Sequence, residues 1–438
     1  TELSALRRRE IIAALRNGTV PRMGLGALAV GMDRFERAVD EELERVAAGQ
    51  GAFKAVRGEY GAGKTFFSRW LQQRAWAQGF ATAEVQISAS DTPLYRMETV
   101  YRRAVASLRT REWHDGAFRA LIDRWFYALE EEVLDEGQVD ETDAAGLALA
   151  VGARLELRLA KISATHPQFA AALRRCHQAR MDGDHALVDG LLGWLMGQPH
   201  VGASIKRAAG IKGEVDHFAA NAFLRGLIAL LKQTGRRGLI LVLDEVETVQ
   251  RMRRDVRDKS LEALRQLIDD VQRGEYPGLY VLVTGTPAFF DSPHGARRVE
   301  ALAQRLHVDF GDPRWDNPRA VQVRLQPFDR SRLVEVGMKV RALYPAGDTA
   351  DLLRRADDAT IGALATQVAG ELGGIVGLAP RLFLKKLVQE LLDKVDQFPD
   401  FNPEEHLQLR VDPLELSPQE RKAAGIELSL DDIELDLS

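Results

Sequence analysis

The chain has 438 residues, 45% of them hydrophobic, so it can bury a sizeable core in one large domain or in two to three ordinary ones. A formal charge of -5 excludes a surface that is basic all over, and the single cysteine, Cys176, excludes a disulfide scaffold and a cysteine-based zinc cluster. The N-terminal stretch lacks the apolar run of a signal peptide, and no later stretch is long enough to span a bilayer. We therefore expect a cytoplasmic protein without membrane contact.

Five apolar segments are typical of strands buried on both faces of a parallel sheet. In chain order they are "FKAVRG" (53–58), "TAEVQIS" (82–88), "LILVLDE" (239–245), "YVLVTGT" (280–286) and "AVQVRLQPF" (320–328). The long stretch between the second and third segments carries apolar residues three and four apart, which is the spacing of amphipathic helices. Strands that alternate with helices indicate an α/β fold, and this one carries a helical insertion.

The first predicted strand runs into a glycine-rich turn, "GEYGAGKT". Gly58, Gly61, Gly63, Lys64 and Thr65 fit the pattern G-x-x-x-x-G-K-[ST] between a strand and a helix, which is the context that this motif requires. Backbone N–H groups of such a loop converge on phosphates, the lysine adds a mobile positive charge, and the threonine hydroxyl ligates Mg²⁺. The residues expected to bind the nucleotide here are Gly58, Glu59, Tyr60, Gly61, Ala62, Gly63, Lys64, Thr65 and Phe66.

A second strand supplies the carboxylates that a phosphate loop needs. In "LILVLDEVE", the apolar residues 240–243 bring Asp244 and Glu245 to the carboxyl end of the strand. We expect Thr65 to bind Mg²⁺ directly and Asp244 to hold it through water. Glu245 is expected to orient and polarise the attacking water. Glu245 is the residue that favours a hydrolase over a nucleotide-binding switch.

Hydroxyl and guanidinium groups follow in the later motifs. In "YVLVTGTP", Thr284 or Thr286 could hydrogen-bond the water or the γ-phosphate. In "RRVEALAQRL" and "GLAPRLFLKKL", Arg305 and Arg381 are candidates to share the charge of the transferring phosphoryl group. The alternative for each arginine is an exposed side chain that only adds solubility.

Together these motifs resemble those of the AAA+ ATPases. "GEYGAGKT" resembles Walker A, "LVLDE" Walker B, "VLVTGTP" the sensor 1 strand, "ALAQRL" the position of the arginine finger and "GLAPR" the sensor 2 motif. "GMDRFE", with Asp33 and Arg34, resembles the box that borders the adenine in initiator-like members. Within AAA+, the chain is most similar to the ATP-binding proteins of BREX phage-defence systems, the BrxD-like group.

The resemblance implies an AAA+ αβα P-loop NTPase core with a parallel sheet, a large helical insertion and a C-terminal helical lid. It also implies ATP and Mg²⁺ as ligands, bound where subunits of a ring or filament meet. Arg305 would then act in trans on a neighbour's γ-phosphate, and Arg381 in cis from the lid. The predicted segments are an N-terminal helix (1–24), the first part of the core (25–90), the insertion (91–235), the second part of the core (236–328), the lid (329–400) and a tail (401–438).

Two features depart from the family pattern. The distance along the chain from Lys64 to Asp244 is far longer than an ordinary core needs, which puts a standard ring geometry in doubt. The second strand also ends without the asparagine that often acts as a switch residue, and only Ser88 and Ser90 stand near its place.

Two functional hypotheses follow, and a third, a small-molecule kinase, is disfavoured because Arg381 and the lid pattern indicate the AAA+ family. The first is an ATPase of a bacterial defence system that loads or remodels a DNA-associated partner complex, with a helicase or methyltransferase as a possible protein partner. DNA would be held without sequence readout by the insertion or by the arginine-rich segment around Arg253 and Arg254. The second is a STAND-like, nucleotide-gated signalling switch that acts on a protein partner without DNA contact. The acidic stretch 425–438 could be a loose tail or a docking strand.

Overall fold

A five-stranded parallel sheet forms the centre of the molecule. The computed structural model describes residues 3–137, 139–140, 142–373, 377, 380–407, 409, 411–416, 420–421 and 424–425. The strands are β1 (Ala52–Arg57), β2 (Ala81–Gln86), β3 (Leu239–Asp244), β4 (Leu279–Gly285) and β5 (Gln322–Arg324). They pair in the order β2-β3-β4-β1-β5, every pair parallel, which confirms the predicted α/β fold with a parallel sheet.

The fifth strand is shorter than the sequence predicts. The segment predicted as a strand over 320–328 pairs with β1 only through residues 322–324. Its N-terminal side turns away because the Lys54 ammonium takes the carbonyl oxygens of Pro318 and Ala320, and Pro327 has no N–H with which to extend the ladder. β5 is therefore a short edge strand beside the strand that leads into the glycine-rich turn.

Helices cover both faces of the sheet because successive strand residues point to opposite sides. The first helices are α1 (Ala5–Arg16), α2 (Asp33–Ala47) and α3 (Lys64–Ala77). On one face, Ile240 and Leu282 join a core with α2 and α3, whereas Leu241 and Val281 point into a second core on the other face. This layering is consistent with a P-loop NTPase-like core.

The helices between β2 and β3 share their core with the sheet. They are α4 (Met97–Ala106), α5 (Ala117–Asp135), α6 (Ala144–Thr165), α7 (Pro167–Met181), α8 (His185–Leu195), α9 (Ala203–Ala208) and α10 (His217–Gln233). Phe223 on α10 makes edge-to-face contacts with Tyr101, Phe169 and Trp194, and so joins three other helices of this group. In the described part of the chain, no helix is both long and apolar enough to cross a bilayer.

The remaining helices fall into two groups. Those that flank β4 are α11 (Arg254–Gln272), α12 (Pro287–Asp291) and α13 (Glu300–Leu306). The C-terminal group comprises α14 (Arg330–Leu343), α15 (Thr349–Arg355), α16 (Asp358–Glu371), α17 (Pro380–Lys386), α18 (Asp393–Gln397) and α19 (Pro403–His406), and a π-helical turn, Leu387–Leu392, connects α17 to α18. We call this C-terminal group the lid.

The first helix of the chain packs in the core of the lid. Ile11, Ile12 and Leu15 of α1 belong to the apolar cluster that α14, α16 and α17 form. The Arg16 guanidinium also donates to both carboxylate oxygens of Asp393, at 2.8 Å each. The segment predicted as a separate N-terminal helix is therefore joined to the lid. Residues 426–438, most of the predicted acidic tail, lie outside the described residues.

A buried ion pair connects three elements of the sheet core. The Lys54 ammonium on β1 lies 2.7 Å from the Glu42 carboxylate on α2, and both side chains are almost completely buried. The Tyr280 hydroxyl on β4 donates to the other Glu42 oxygen at 2.6 Å. Burial lowers the pKa of Lys54 and raises that of Tyr280, and the Glu42 charge opposes the change at Lys54. Removal of either partner would leave the other charge buried without compensation, which destabilises the fold.

We expect Lys54→Met to lower the free energy of unfolding by about 3–5 kcal/mol, because it leaves the Glu42 charge buried without its cation. Urea denaturation followed by tryptophan fluorescence measures the change. The matched control, Lys212→Met, replaces an exposed lysine and should leave stability nearly unchanged. Combining Lys54→Met with Glu42→Gln should restore part of the loss. Equal losses for the two lysine variants would contradict this account of the pair.

Candidate functional site

A cavity of about 300 Å³ lies at the carboxyl edge of the sheet. Its floor is the glycine-rich turn after β1, and its sides are the segment after α1, the end of β3 and the lid. The carboxyl ends of β1, β3 and β4 meet here because the three strands are neighbours and parallel. The residues that line the floor are Tyr60, Gly61, Ala62, Gly63, Lys64, Thr65 and Phe66.

The turn after β1 has the backbone that a phosphate loop requires. Gly61 and Gly63 have φ angles of 80° and 90°, in the left-handed region that glycine adopts without strain. α3 begins directly after them, at Lys64. The first N–H groups of a helix have no acceptor within the helix, so the positive end of α3 faces the cavity and favours an anion there.

The Lys64 side chain lies along the loop. Its ammonium donates to the carbonyl oxygens of Gly58 and Glu59, at 2.9 and 3.3 Å. Burial lowers the pKa of Lys64, while the carboxylates of Glu247 and Asp244 act in the opposite direction. A side chain with this charge and reach can leave the carbonyls for the phosphates of a nucleotide.

Thr284 connects the ends of β3 and β4. Its hydroxyl donates to the Asp244 carboxylate and accepts a hydrogen bond of 3.3 Å from the backbone N–H of Glu245. The side chain is completely buried. Burial raises the pKa of Asp244, and the Thr284 hydrogen bond opposes that rise. Thr284 therefore positions both predicted carboxylate residues and is not itself in the cavity wall.

Glu245 turns towards solvent at the mouth of the cavity. Its backbone is left-handed, with φ 58°, which directs its exposed side chain away from β3. The Gln86 amide at the end of β2 donates to the Glu245 carboxylate at 2.9 Å. Gln86 thus contacts Glu245 from the end of the second strand, near where the sequence offered only Ser88 and Ser90. The Ser88 hydroxyl instead accepts from the backbone N–H groups of Asp91 and Thr92.

The cavity wall suits a nucleotide with its magnesium ion. Thr65 and Asp244 both line it, beside the positive end of α3. Mg²⁺ in such sites keeps several waters and takes phosphate oxygens, so one hydroxyl and one carboxylate suffice from the protein. Within the described residues, no group of three or more His, Cys, Asp or Glu side chains could hold a metal ion.

Gly58, Glu59 and Thr284 are not among the residues that line the cavity, and three further predicted site residues also lie outside its wall. Arg34 donates to the Arg324 carbonyl oxygen at 2.6 Å, with its guanidinium over the Phe35 ring. Thr286 precedes α12 and is nearly buried. Arg305 forms a two-point ion pair with Asp269 of α11. Action of Arg305 on a neighbouring subunit stays a prediction.

Arg381 lines the cavity from the lid, but its charge is already paired. Its guanidinium donates to the Glu420 carboxylate and, at 2.6 Å, to the Glu415 carbonyl oxygen. Lys385 and Lys386, on the same helix, form ion pairs with the Glu415 carboxylate. The segment after α19 thus neutralises the basic face of α17. Residues 378–379, in the middle of the predicted "GLAPR" motif, lie outside the described residues.

The apolar part of the cavity was not predicted. The segment after α1 is held against α3, because Arg69 donates to the Val20 carbonyl oxygen and the Gln73 amide donates to that of Arg22. The apolar residues that this segment and the lid add to the wall are Val20, Pro21, Leu28, Val30, Met32, Phe328, Val336 and Leu384. Beyond "GMDRFE", no local motif marks them. A flat aromatic base fits such a wall.

We expect Thr284→Val to weaken binding of Mg²⁺-ATP by about ten-fold, because Asp244 and the Glu245 N–H each lose a buried partner. Isothermal titration calorimetry measures the affinity. Thr284→Ser keeps the hydroxyl and should bind nearly as the unmodified chain does. Thr286→Val makes the same chemical change two residues later, at the residue that precedes α12, and should have little effect. If the serine and valine variants at 284 bind alike, the hydroxyl does not have this role.

One family model matches nearly the whole chain. It describes the BREX system ATP-binding protein BrxC/D and covers residues 3–411, which include the glycine-rich turn, the carboxylates after β3 and both sides of the cavity. No curated protein matches the chain. The match confirms the similarity to BREX ATP-binding proteins that the motifs predict, and it supports a nucleotide as the ligand of the cavity. The chain belongs to the family of BREX system ATP-binding proteins BrxC/D.

Proposed function

We propose that this chain is an AAA+ ATPase of a BREX phage-defence system. It binds ATP with Mg²⁺ in the cavity and hydrolyses the bond between the β- and γ-phosphates. One observation carries the proposal: Lys64 and Thr65 of the loop after β1 line the same cavity as Asp244 and Glu245 after β3. Each of these residue types has a distinct part in phosphoryl transfer to water, and the fold brings them together from distant parts of the sequence.

The residues divide the chemistry as follows. The N–H groups at the start of α3 and the Lys64 ammonium bind the phosphates and offset their charge. Thr65 and Asp244 would hold the magnesium ion, which would neutralise charge that develops on the phosphate oxygens. Glu245 accepts a hydrogen bond from a water molecule and aligns it with the γ-phosphorus, while Gln86 and Thr284 orient Glu245 and Asp244. The products are ADP and inorganic phosphate.

The sheet order supports the AAA+ assignment. β4 lies between the strand of the phosphate loop and the strand of Asp244, so a residue of β4 can contact the catalytic pair. Thr284 does so. The lid, with Arg381 on the cavity wall, supports the same assignment.

We further propose that hydrolysis loads or remodels a DNA-associated partner complex. The segment from Glu245 to the start of α11 supports DNA contact, because Arg251, Arg253 and Arg254, the first residue of α11, are exposed within ten residues of the catalytic carboxylate. Arg253 shares its charge with Asp255, at 3.1 Å, which reduces the attraction that this segment offers to phosphates. Self-association in a ring or filament is part of the proposal, with Arg305 exchanging Asp269 for a neighbour's γ-phosphate.

The test is steady-state ATP hydrolysis by the purified chain with and without duplex DNA. We expect Glu245→Gln to reduce kcat by about 100-fold or more, because it removes the base that aligns the water, while ATP still binds. Lys64→Ala should instead weaken ATP binding by about ten-fold or more. Hydrolysis that persists in Glu245→Gln at the unmodified rate would overturn the assignment of this residue.

The same assay separates the two functional hypotheses. Stimulation by DNA that disappears in Glu245→Gln supports a DNA-coupled ATPase. Hydrolysis indifferent to DNA, together with ATP-dependent assembly, supports a switch that acts on a protein partner. The variant Arg253→Ala/Arg254→Ala, measured at low salt, tests the arginine-rich segment: unchanged DNA affinity would remove it from the interface.

A further inference from the structure

Glu247 is a buried carboxylate on the cavity wall that the proposed chemistry does not use. Its side chain is only 7% exposed, and the residue lines the cavity together with Asp244 and Glu245. No other residue in the described part of the chain donates a hydrogen bond to its carboxylate oxygens, on which only its own backbone N–H acts. Buried carboxylates nearly always have donors, so this one calls for an explanation.

The turn after β3 places Glu247 on the wall of the cavity that Lys64 also lines. Glu245 adopts the left-handed backbone conformation, and a 3₁₀ turn, Val246–Arg251, follows it. Val246 and Val249 of that turn are buried in the core, which fixes the turn against the sheet. Glu245 is left exposed at the mouth of the cavity, whereas Glu247 is enclosed.

The Lys64 ammonium, whose charge acts on Glu247, does not supply the missing donor. The Lys64 ammonium donates to the carbonyl oxygens of Gly58 and Glu59. Burial raises the pKa of Glu247; its own backbone N–H opposes that rise, and so does the charge of Lys64, without a hydrogen bond between the two side chains. A carboxylate in this position is stabilised by donors that enter the cavity with a ligand.

The chemistry of the cavity decides which donors these are. A triphosphate carries acceptor oxygens and negative charge, so it repels Glu247. Water molecules bound to Mg²⁺ are strong donors, and Asp244, three residues earlier, is placed to accept from the same shell. A second carboxylate beside Asp244 would therefore favour the metal complex of the nucleotide and disfavour the free nucleotide.

We propose that Glu247 accepts a hydrogen bond from water bound to the magnesium ion of ATP and thereby makes the site selective for Mg²⁺-ATP over metal-free ATP. This inference rests on the proposed binding of Mg²⁺-ATP in the cavity. Glu247 is a binding residue in this role, and it acts on the metal's water shell without taking the proton of the attacking water.

The test measures binding and not turnover. The dissociation constant of a fluorescent ATP analogue is determined with excess Mg²⁺ and with EDTA, for the unmodified chain and for Glu247→Gln. The ratio of the two constants should fall by about ten-fold in Glu247→Gln, because Mg²⁺-ATP loses a charge-assisted acceptor and metal-free ATP loses a repulsive charge. Tighter binding of the metal-free analogue by the variant is the more diagnostic half of this result.

Controls separate the possible failures. Glu335→Gln makes the same exchange on the exposed surface of α14 and should leave the ratio unchanged. An unmodified chain that does not bind Mg²⁺-ATP refutes the proposed function itself. If the ratio of the two dissociation constants is the same in the unmodified chain and in Glu247→Gln, only the inference about Glu247 is refuted.

A variant of equal charge covers the case in which Glu247→Gln does not fold. Glu247→Asp keeps the negative charge and should keep at least part of the preference for Mg²⁺-ATP. A purely structural role would lower the melting temperature of both variants and leave the ratio of dissociation constants unchanged. That outcome overturns the inference.

Discussion

The hydrogen bond from Thr284 to Asp244 joins two neighbouring strands at the edge of the sheet where the phosphate loop also begins. It is possible because β3 and β4 are neighbours that run in the same direction, and the phosphate loop lies at the same edge because β1 pairs with the other side of β4. The same hydroxyl holds the backbone of Glu245, from which the turn to Glu247 starts. The positions of the acidic residues around the cavity therefore depend on the pairing of β3 with β4.

Local signals made the phosphate-binding half of the site predictable. The glycine pattern with Lys64 and Thr65 requires one backbone shape, and an apolar strand that ends in Asp244 and Glu245 requires one edge of the sheet. Both are encoded within about ten residues, over which the chain has few alternatives. The same reasoning predicted a parallel sheet, although it made β5 too long, because the loss of pairing before residue 322 depends on Lys54 of another strand.

The other half of the site depends on contacts between residues distant in sequence. The partnership of Gln86 with Glu245 spans 159 residues and follows from the pairing of β2 with β3. The motif around Arg381 contains no acidic residue to pair with its guanidinium. The ion pair with Glu420 forms only in the folded chain. Glu247 is buried although Glu245, two residues earlier, is exposed. This difference follows from the left-handed backbone of Glu245, which the sequence "DEVE" does not predict. Such features have no period or motif from which a sequence pattern could predict them.

The packing of α1 against the lid also determines the order in which parts of the chain can fold during translation. Arg16 leaves the ribosome 377 residues before its partner Asp393, a delay on the order of tens of seconds at ordinary elongation rates. Through that interval, the apolar side of α1 and the wall segment after it have no lid to pack against. The sheet and its inserted helices can fold first, but the cavity closes last. Until the lid emerges, a nascent chain of this protein would therefore expose the apolar side of α1 and would lack a complete nucleotide site.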